Sequence, residues 1–318
     1  MKVALLRESG GIGDVISMSG ASYALKRDKG CEVVAFVPQN FVGVASHLYG
    51  VDEVVSLPRV EELAKNRRMR ESPLKVGAHE YLTQVLSGGY DEIIDLYCPG
   101  FFYEQRCKGR EEYTRSQLFA LRAGASQILD CTPRWAITES EREFALDYVK
   151  RRGFSVGEFI VAGLRGTCRN RVLPAGYSHS LLSTLVSQGV KVIYGDSTTP
   201  HFPLVSGVDY CRVSFPQFVA IVSLSKLVVC MDSSLLHIAQ AVGVRSISIH
   251  IMSDGTQYKK WYNSLVIEPL PGNPCSNPCH YNRMKGWDRK CRETGCVRMK
   301  RFPLQMIIDT VIGEIKST

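Results

Sequence analysis

Short apolar runs alternate with stretches of helical spacing along this chain, and the alternation is played out twice. In the first block VALL (3–6), VVAFV (33–37), EVVSL (53–57) and EIIDLY (92–97) read as strands. A helix over 14–27 turns Val15, Ile16, Met18 and Leu25 inward. After a charged helical stretch, SEREFALDYVKRRG, the rhythm restarts with EFIVAGL (158–164), KVIYGD (191–196), KLVVCMD (226–232) and RSISIHI (245–251). The segments SHSLLSTLVSQG, PQFVAIVSLS and SSLLHIAQAVG are the helices between them. Strands apolar on both faces and joined through helices specify parallel sheets covered on both sides. The predicted class is α/β: two Rossmann-like domains facing a cleft, residues 1–155 and 156–302, with a closing helix in 303–318. The length of 318 residues suits two such domains.

Three polar turns follow strands. Gly10, Gly11 and Gly13 lead into Asp14 at the start of the first helix. Glycines there let backbone approach a ligand and leave helix N–H groups facing an anion. The spacing is not the G-x-G-x-x-G of dinucleotide sites. Asp14 reads either as a helix cap or as a general base for a hydroxyl nucleophile. In the second domain, Gly166-Thr167-Cys168-Arg169-Asn170-Arg171 follows a strand, and its small polar residues and arginines suit a diphosphate. The third turn, Asp232-Ser233-Ser234, opens a helix that carries His237 one turn further on. It reads as an ordinary cap beside a core histidine or as a set of ligands for a polar group.

Taken in order, GGIGDVISMSGASYALK, GTCRNRVLP and DSSLLHIAQAVG resemble the three motifs of glycosyltransferase family nine, the heptosyltransferase-like enzymes of GT-B fold. The resemblance covers roughly residues 2 to 270. It implies inverting transfer of a sugar, heptose among the candidates, from an ADP- or UDP-linked donor to a hydroxyl, with no catalytic metal. By the same resemblance Asp14 deprotonates the acceptor, Thr167 and Arg171 hold the donor diphosphate, and Asp232, Ser233, Ser234 and His237 contact donor sugar and phosphates. Arg171 stands where the family usually has lysine, Ser234 where it has glycine, and Leu173 where it has tryptophan.

Four of the eleven cysteines gather near the C-terminus as Cys275-x3-Cys279-x11-Cys291-x4-Cys296, with turn-forming Gly and Pro around them. That spacing suits a tetrahedral four-thiolate site, a small metal finger over 273–297, with structural zinc favoured over iron. It also resembles the iron-holding cysteine finger of autotransporter heptosyltransferases. The other cysteines are scattered, several inside apolar runs, and read as small hydrophobes.

Lys and Arg number 39 against 31 Asp and Glu, a net charge of +8 that favours anionic partners. Basic residues crowd the finger and the segment 59–72. The acceptor expected is therefore anionic, such as a phosphorylated glycolipid, with protein or nucleic acid as alternatives. A catalytically silent GT-B binding module is the reading from outside enzymology. No stretch approaches the ~18 apolar residues of a spanning helix, and the N-terminus lacks a secretory signal, so a cytoplasmic protein is expected.

Overall fold

Each apolar run that reads as a strand forms one in the computed structural model, and every strand pair is parallel. The structure describes residues 1–8, 10–57, 89–96, 112–167, 171–196, 199–251, 255–269 and 302–317. These fall into two compact units, Met1–Ala136 and Ile137–Thr318.

In the first unit β1 (Lys2–Leu6), β2 (Glu32–Pro38), β3 (Glu53–Leu57) and β4 (Glu92–Asp95) form a sheet of order β3-β2-β1-β4. Val3 lies opposite Val33 on one side and Glu92 on the other. Ala4, Leu6, Val34, Phe36 and Leu57 make one cluster of the core. Helix α1 (Ile12–Lys29) follows β1 and buries Val15, Ile16, Met18 and Leu25, the residues its spacing marks as inward. A single turn, α2 (Val42–Ala45), precedes β3.

Helix α3 (Arg115–Arg122) was not apparent from apolar periodicity. Its start is set by a capping box: Gln117 N–H donates to the Thr114 hydroxyl, and the Gln117 side chain accepts the Thr114 N–H at 2.9 Å. The helix lies hard against α1 because residue 20 is glycine. A Cβ there would sit 2.3 Å from Ser116 Oγ and 2.6 Å from its carbonyl oxygen.

The second unit has the order β10-β9-β8-β5-β6-β7. Its strands are β5 (Phe159–Gly163), β6 (Lys191–Gly195), β7 (Val208–Cys211), β8 (Leu227–Met231), β9 (Ser246–Ile249) and β10 (Ser264–Ile267). All residues of the central strands β5 and β8 are buried, as expected for strands covered on both faces. Around them pack α4 (Glu139–Arg151), α5 (Ala175–Ser187), α6 (Phe215–Ser223), α7 (Ser234–Ala241), the short α8 (Thr256–Trp261) and α9 (Leu304–Ser317). Helix α4, which the sequence reading placed before the domain boundary, packs on α6 within this unit. Helix α9 closes the core with Ile307, Ile308 and Val311, and Lys226 Nζ donates to the Ile315 carbonyl at 2.7 Å.

Candidate active site

The second unit's sheet reverses its winding between β5 and β8. These strands are neighbours, yet β6 and β7 continue from β5 to one side and β9 and β10 from β8 to the other. In open parallel sheets a ligand binds outside the carboxyl ends of the strands at such a reversal. Thr167 and Arg171 follow β5, and Asp232 and Ser233 follow β8, so both loops at this point carry residues singled out from the sequence.

The loop after β5 folds back on itself. Arg165 bridges Val172, Gly166 N–H donates to the Arg171 carbonyl at 2.8 Å, and Leu173 N–H to the Leu164 carbonyl at 3.0 Å. Leu173, standing where the family usually has tryptophan, is fully buried and anchors the loop in the core. Thr167 is exposed. The loop brings Arg171 Nε to 3.4 Å from Asp232 Oδ2, a charge pair without hydrogen-bond alignment, and that Nε is buried with no hydrogen-bond partner among the described residues. A buried donor of this kind is normally satisfied, and a ligand oxygen would satisfy it.

Helix α7 begins at Ser234 with Ser233 as its N-cap in extended conformation. The Ser233 side chain makes no capping hydrogen bond. The ordinary-cap reading therefore does not describe this serine, whose carbonyl accepts the Leu236 N–H at 3.2 Å, and the start of α7 turns its positive dipole end toward this loop. Both serines are half-buried. One turn on, His237 Nδ1 lies 2.9 Å from the Tyr262 hydroxyl, and the edges of Tyr258 and Tyr262 flank its ring at centroid distances of 5.9 and 5.8 Å. Tyr262 thus fixes the imidazole's orientation, whichever atom carries the proton.

In the first unit the glycine turn is built around Asp14. Gly10 has φ +131°, and a Cβ there would lie 2.4 Å from Asp14 Oδ2 and 3.0 Å from Arg7 Nη2. Asp14 Oδ2 accepts the Gly11 N–H at 2.8 Å, so the carboxylate does cap α1. Gly13 contributes its carbonyl to the Ser17 hydroxyl at 2.8 Å. Two arginines complete the setting. Arg7 Nη2 lies 3.6 Å from Oδ2, and Arg115 Nη1 pairs with Oδ1.

Arg7 directly follows β1 and is almost fully buried. Its Nη1 donates to the Leu96 carbonyl beyond β4 at 2.8 Å, and the guanidinium lies 5.3 Å from the Phe119 ring centroid. Burial brings its proton affinity down to about 10, with Asp95 and Glu8 acting in the opposite sense. Neither arginine was singled out from the sequence. The signal for Arg115 was the T-R-S-Q capping box, and for Arg7 its place at the end of a strand before the glycine turn.

Cys275, Cys279, Cys291 and Cys296 lie outside the described residues, as do the segment 59–72 and Cys168 to Asn170. The described thiols of Cys31, Cys131, Cys211 and Cys230 are free and buried, in keeping with their reading as small hydrophobes. Burial pushes the Cys131 thiol up to about 11, further from a reactive thiolate. No described helix is long and apolar enough to cross a membrane.

The family model described as Glycosyltransferase family 9 (heptosyltransferase) matches residues 210–287, a stretch that takes in β8 and the turn from Asp232 to His237. The chain resembles glycosyltransferase family 9. The family 9 likeness extends to the whole fold. A glycosyl transferase family 9 structure from Veillonella parvula is 13% identical, covers 100% of this chain and 98% of its own, and has a TM-score of 0.72. E. coli heptosyltransferase WaaC with ADP is 16% identical over 91% of this chain and 99% of its own, with a TM-score of 0.60. The iron-containing dodecameric glycosyltransferase TibC of enterotoxigenic E. coli is 12% identical over 100% of this chain and 78% of its own, with a TM-score of 0.62. At these identities the structures show a shared fold, the two-sheet α/β architecture of GT-B glycosyltransferases. Comparison with curated proteins gives no match.

Proposed function

We propose that this protein is an inverting glycosyltransferase whose second unit binds a nucleotide-diphosphate sugar and whose first unit supplies Asp14 as general base. The observation that carries the reading is the turn after β8: the N-terminus of α7, with Ser233 not capping it, lies beside an Arg171 Nε that lacks a hydrogen-bond partner among the described residues, at the reversal of a parallel sheet. Such an arrangement stabilises charge on a diphosphate. The acceptor oxygen attacks the anomeric carbon as its proton passes to Asp14. The bond from that carbon to the diphosphate oxygen breaks, and its electron pair leaves with the nucleoside diphosphate. Arg171 and the α7 N-terminus receive that charge, while His237, steadied by Tyr262, faces the donor.

An ADP-linked donor, heptose first among the sugars, is supported by the similar E. coli structures, WaaC with ADP and TibC with ADP-D-beta-D-heptose. The net charge of +8 supports an anionic acceptor such as a phosphorylated glycolipid, and a cytoplasmic location goes with this reading. The thiolate set Cys275, Cys279, Cys291 and Cys296 would hold one structural ion, zinc by the chemistry of the set and iron by the likeness to TibC, and metal analysis of the purified chain tests it.

Calorimetry with ADP and UDP tests the donor site. ADP should bind, and Arg171→Ala should weaken it by about 10- to 100-fold, the loss expected for one charge-assisted hydrogen bond. Equal affinity of wild type and variant for both nucleotides, or no binding at all, would contradict the assignment.

A further inference from the structure

The two oxygens of Asp14 are held differently. Oδ2 is committed to the helix, accepting the Gly11 N–H at 2.8 Å with Arg7 Nη2 at 3.6 Å. Oδ1 meets Arg115. The two cations differ as well. The Arg7 side chain is 5% exposed and tied to the Leu96 carbonyl, whereas the Arg115 side chain is 42% exposed at the start of α3.

We propose that Arg115 is the positioning residue of the base: it presents Oδ1 of Asp14 to the acceptor hydroxyl and keeps that oxygen unprotonated until transfer. The proposal rests on the glycosyltransferase reading above. A guanidinium in contact with a carboxylate favours the ionised form. Oδ2 serves the cap and sits beside Arg7, whereas among the described residues Oδ1 meets Arg115 alone and keeps a second lone pair for a proton. The charged groups that meet Asp14, or act on its partner Arg7, come from three elements. The turn after β1 brings Arg7 and Glu8, the end of β4 brings Asp95, and α3 brings Arg115. Asp95 and Glu8 both act on Arg7, so three carboxylates face one buried guanidinium. Arg115 brings the second positive charge.

The local sequence delivers Arg115 to this place. The Thr114–Gln117 capping box fixes where α3 starts, and Gly20 lets Ser116, the next residue, approach the α1 backbone. A longer separation of the two helices would carry the guanidinium away from Oδ1.

The test is carboxyl NMR on the full chain carrying 13C-labelled aspartate, with the Asp14 signal assigned by its loss in Asp14→Asn. Arg115→Gln should move the Asp14 midpoint up by about one pH unit, and Arg115→Lys should restore most of the difference. The acid limb of kcat/KM for transfer should move the same way, because it reports the free enzyme's base, while the donor KM stays unchanged. An Asp14 midpoint unmoved in Arg115→Gln overturns the proposal and leaves the glycosyltransferase reading standing. Transfer at the wild-type rate by Asp14→Asn overturns the base itself, and a shift in Arg115→Gln would then mark a structural ion pair.

Discussion

Gly10 shows how little room the Asp14 carboxylate has. Its φ of +131° is a conformation that side-chain-bearing residues rarely adopt, and any Cβ would press on Asp14 Oδ2 and Arg7 Nη2. Gly10→Ala should therefore both destabilise the first unit, by about 1–3 kcal/mol, and disturb the carboxylate. Thermal unfolding should show a Tm several degrees lower, with ADP affinity unchanged because the residues proposed to hold the donor lie in the other unit. An unaltered Tm would mean that the turn relaxes freely. From the sequence, G-G-I-G-D announced a special turn and Asp14 announced either a cap or a base. The structure gives Asp14 the cap through one oxygen and leaves the other to an arginine. No pattern in a linear sequence could assign the two oxygens separately, because Arg115 lies a hundred residues away in sequence.

At the level of elements, α1 is secured at both ends. Its C-terminal end is clamped by Arg27, which donates to Asp28 at 2.7 Å and Asp130 at 2.6 Å, while Asp28 accepts the Ser126 N–H at 2.8 Å. The Arg27 guanidinium, then the Ser126 N–H, hold the Asp28 carboxyl well below the usual range. For Asp130, burial pushes upward, and the hydrogen bond and charge of Arg27 outweigh it. A carboxyl depressed on folding adds stability that is complete above its unfolded value of about 4 and is lost as the pH falls further. Urea midpoints should therefore drop below about pH 4, and Asp28→Asn should flatten that drop. An identical acid dependence in the variant would show that the clamp contributes nothing.

The strands legible in the sequence were those with unbroken apolar runs, such as FIVAG of β5 and LVVCM of β8, both wholly buried. VDYC of β7 and SLVI of β10 escaped notice. Both are four-residue strands at the sheet's two edges, half-buried over most of their length, so they lack the apolar signal of the centre. Helix α3 escaped for a related reason: its inward face includes Ser116 and Gln117, and its buried position comes from Gly20 on its neighbour.

Across the whole molecule, two parallel sheets each place side chains of the proposed site at the point where their winding reverses. In the first sheet the reversal lies between β1 and β4, where Arg7 spans from one strand's end to the carbonyl beyond the other and Asp14 follows β1. In the second it lies between β5 and β8, where Arg171 meets Asp232. Order of motifs along the chain made this readable, since each polar turn directly follows a strand. The sharpest test is product mass spectrometry with an ADP-sugar donor and a phosphorylated glycolipid acceptor, comparing the wild-type chain with Asp14→Asn. The glycosylated acceptor should appear with wild type and fall at least about 100-fold with the variant, while the variant still binds ADP at wild-type affinity. Product formed by the variant at an undiminished rate would contradict the central claim that Asp14 takes the acceptor's proton.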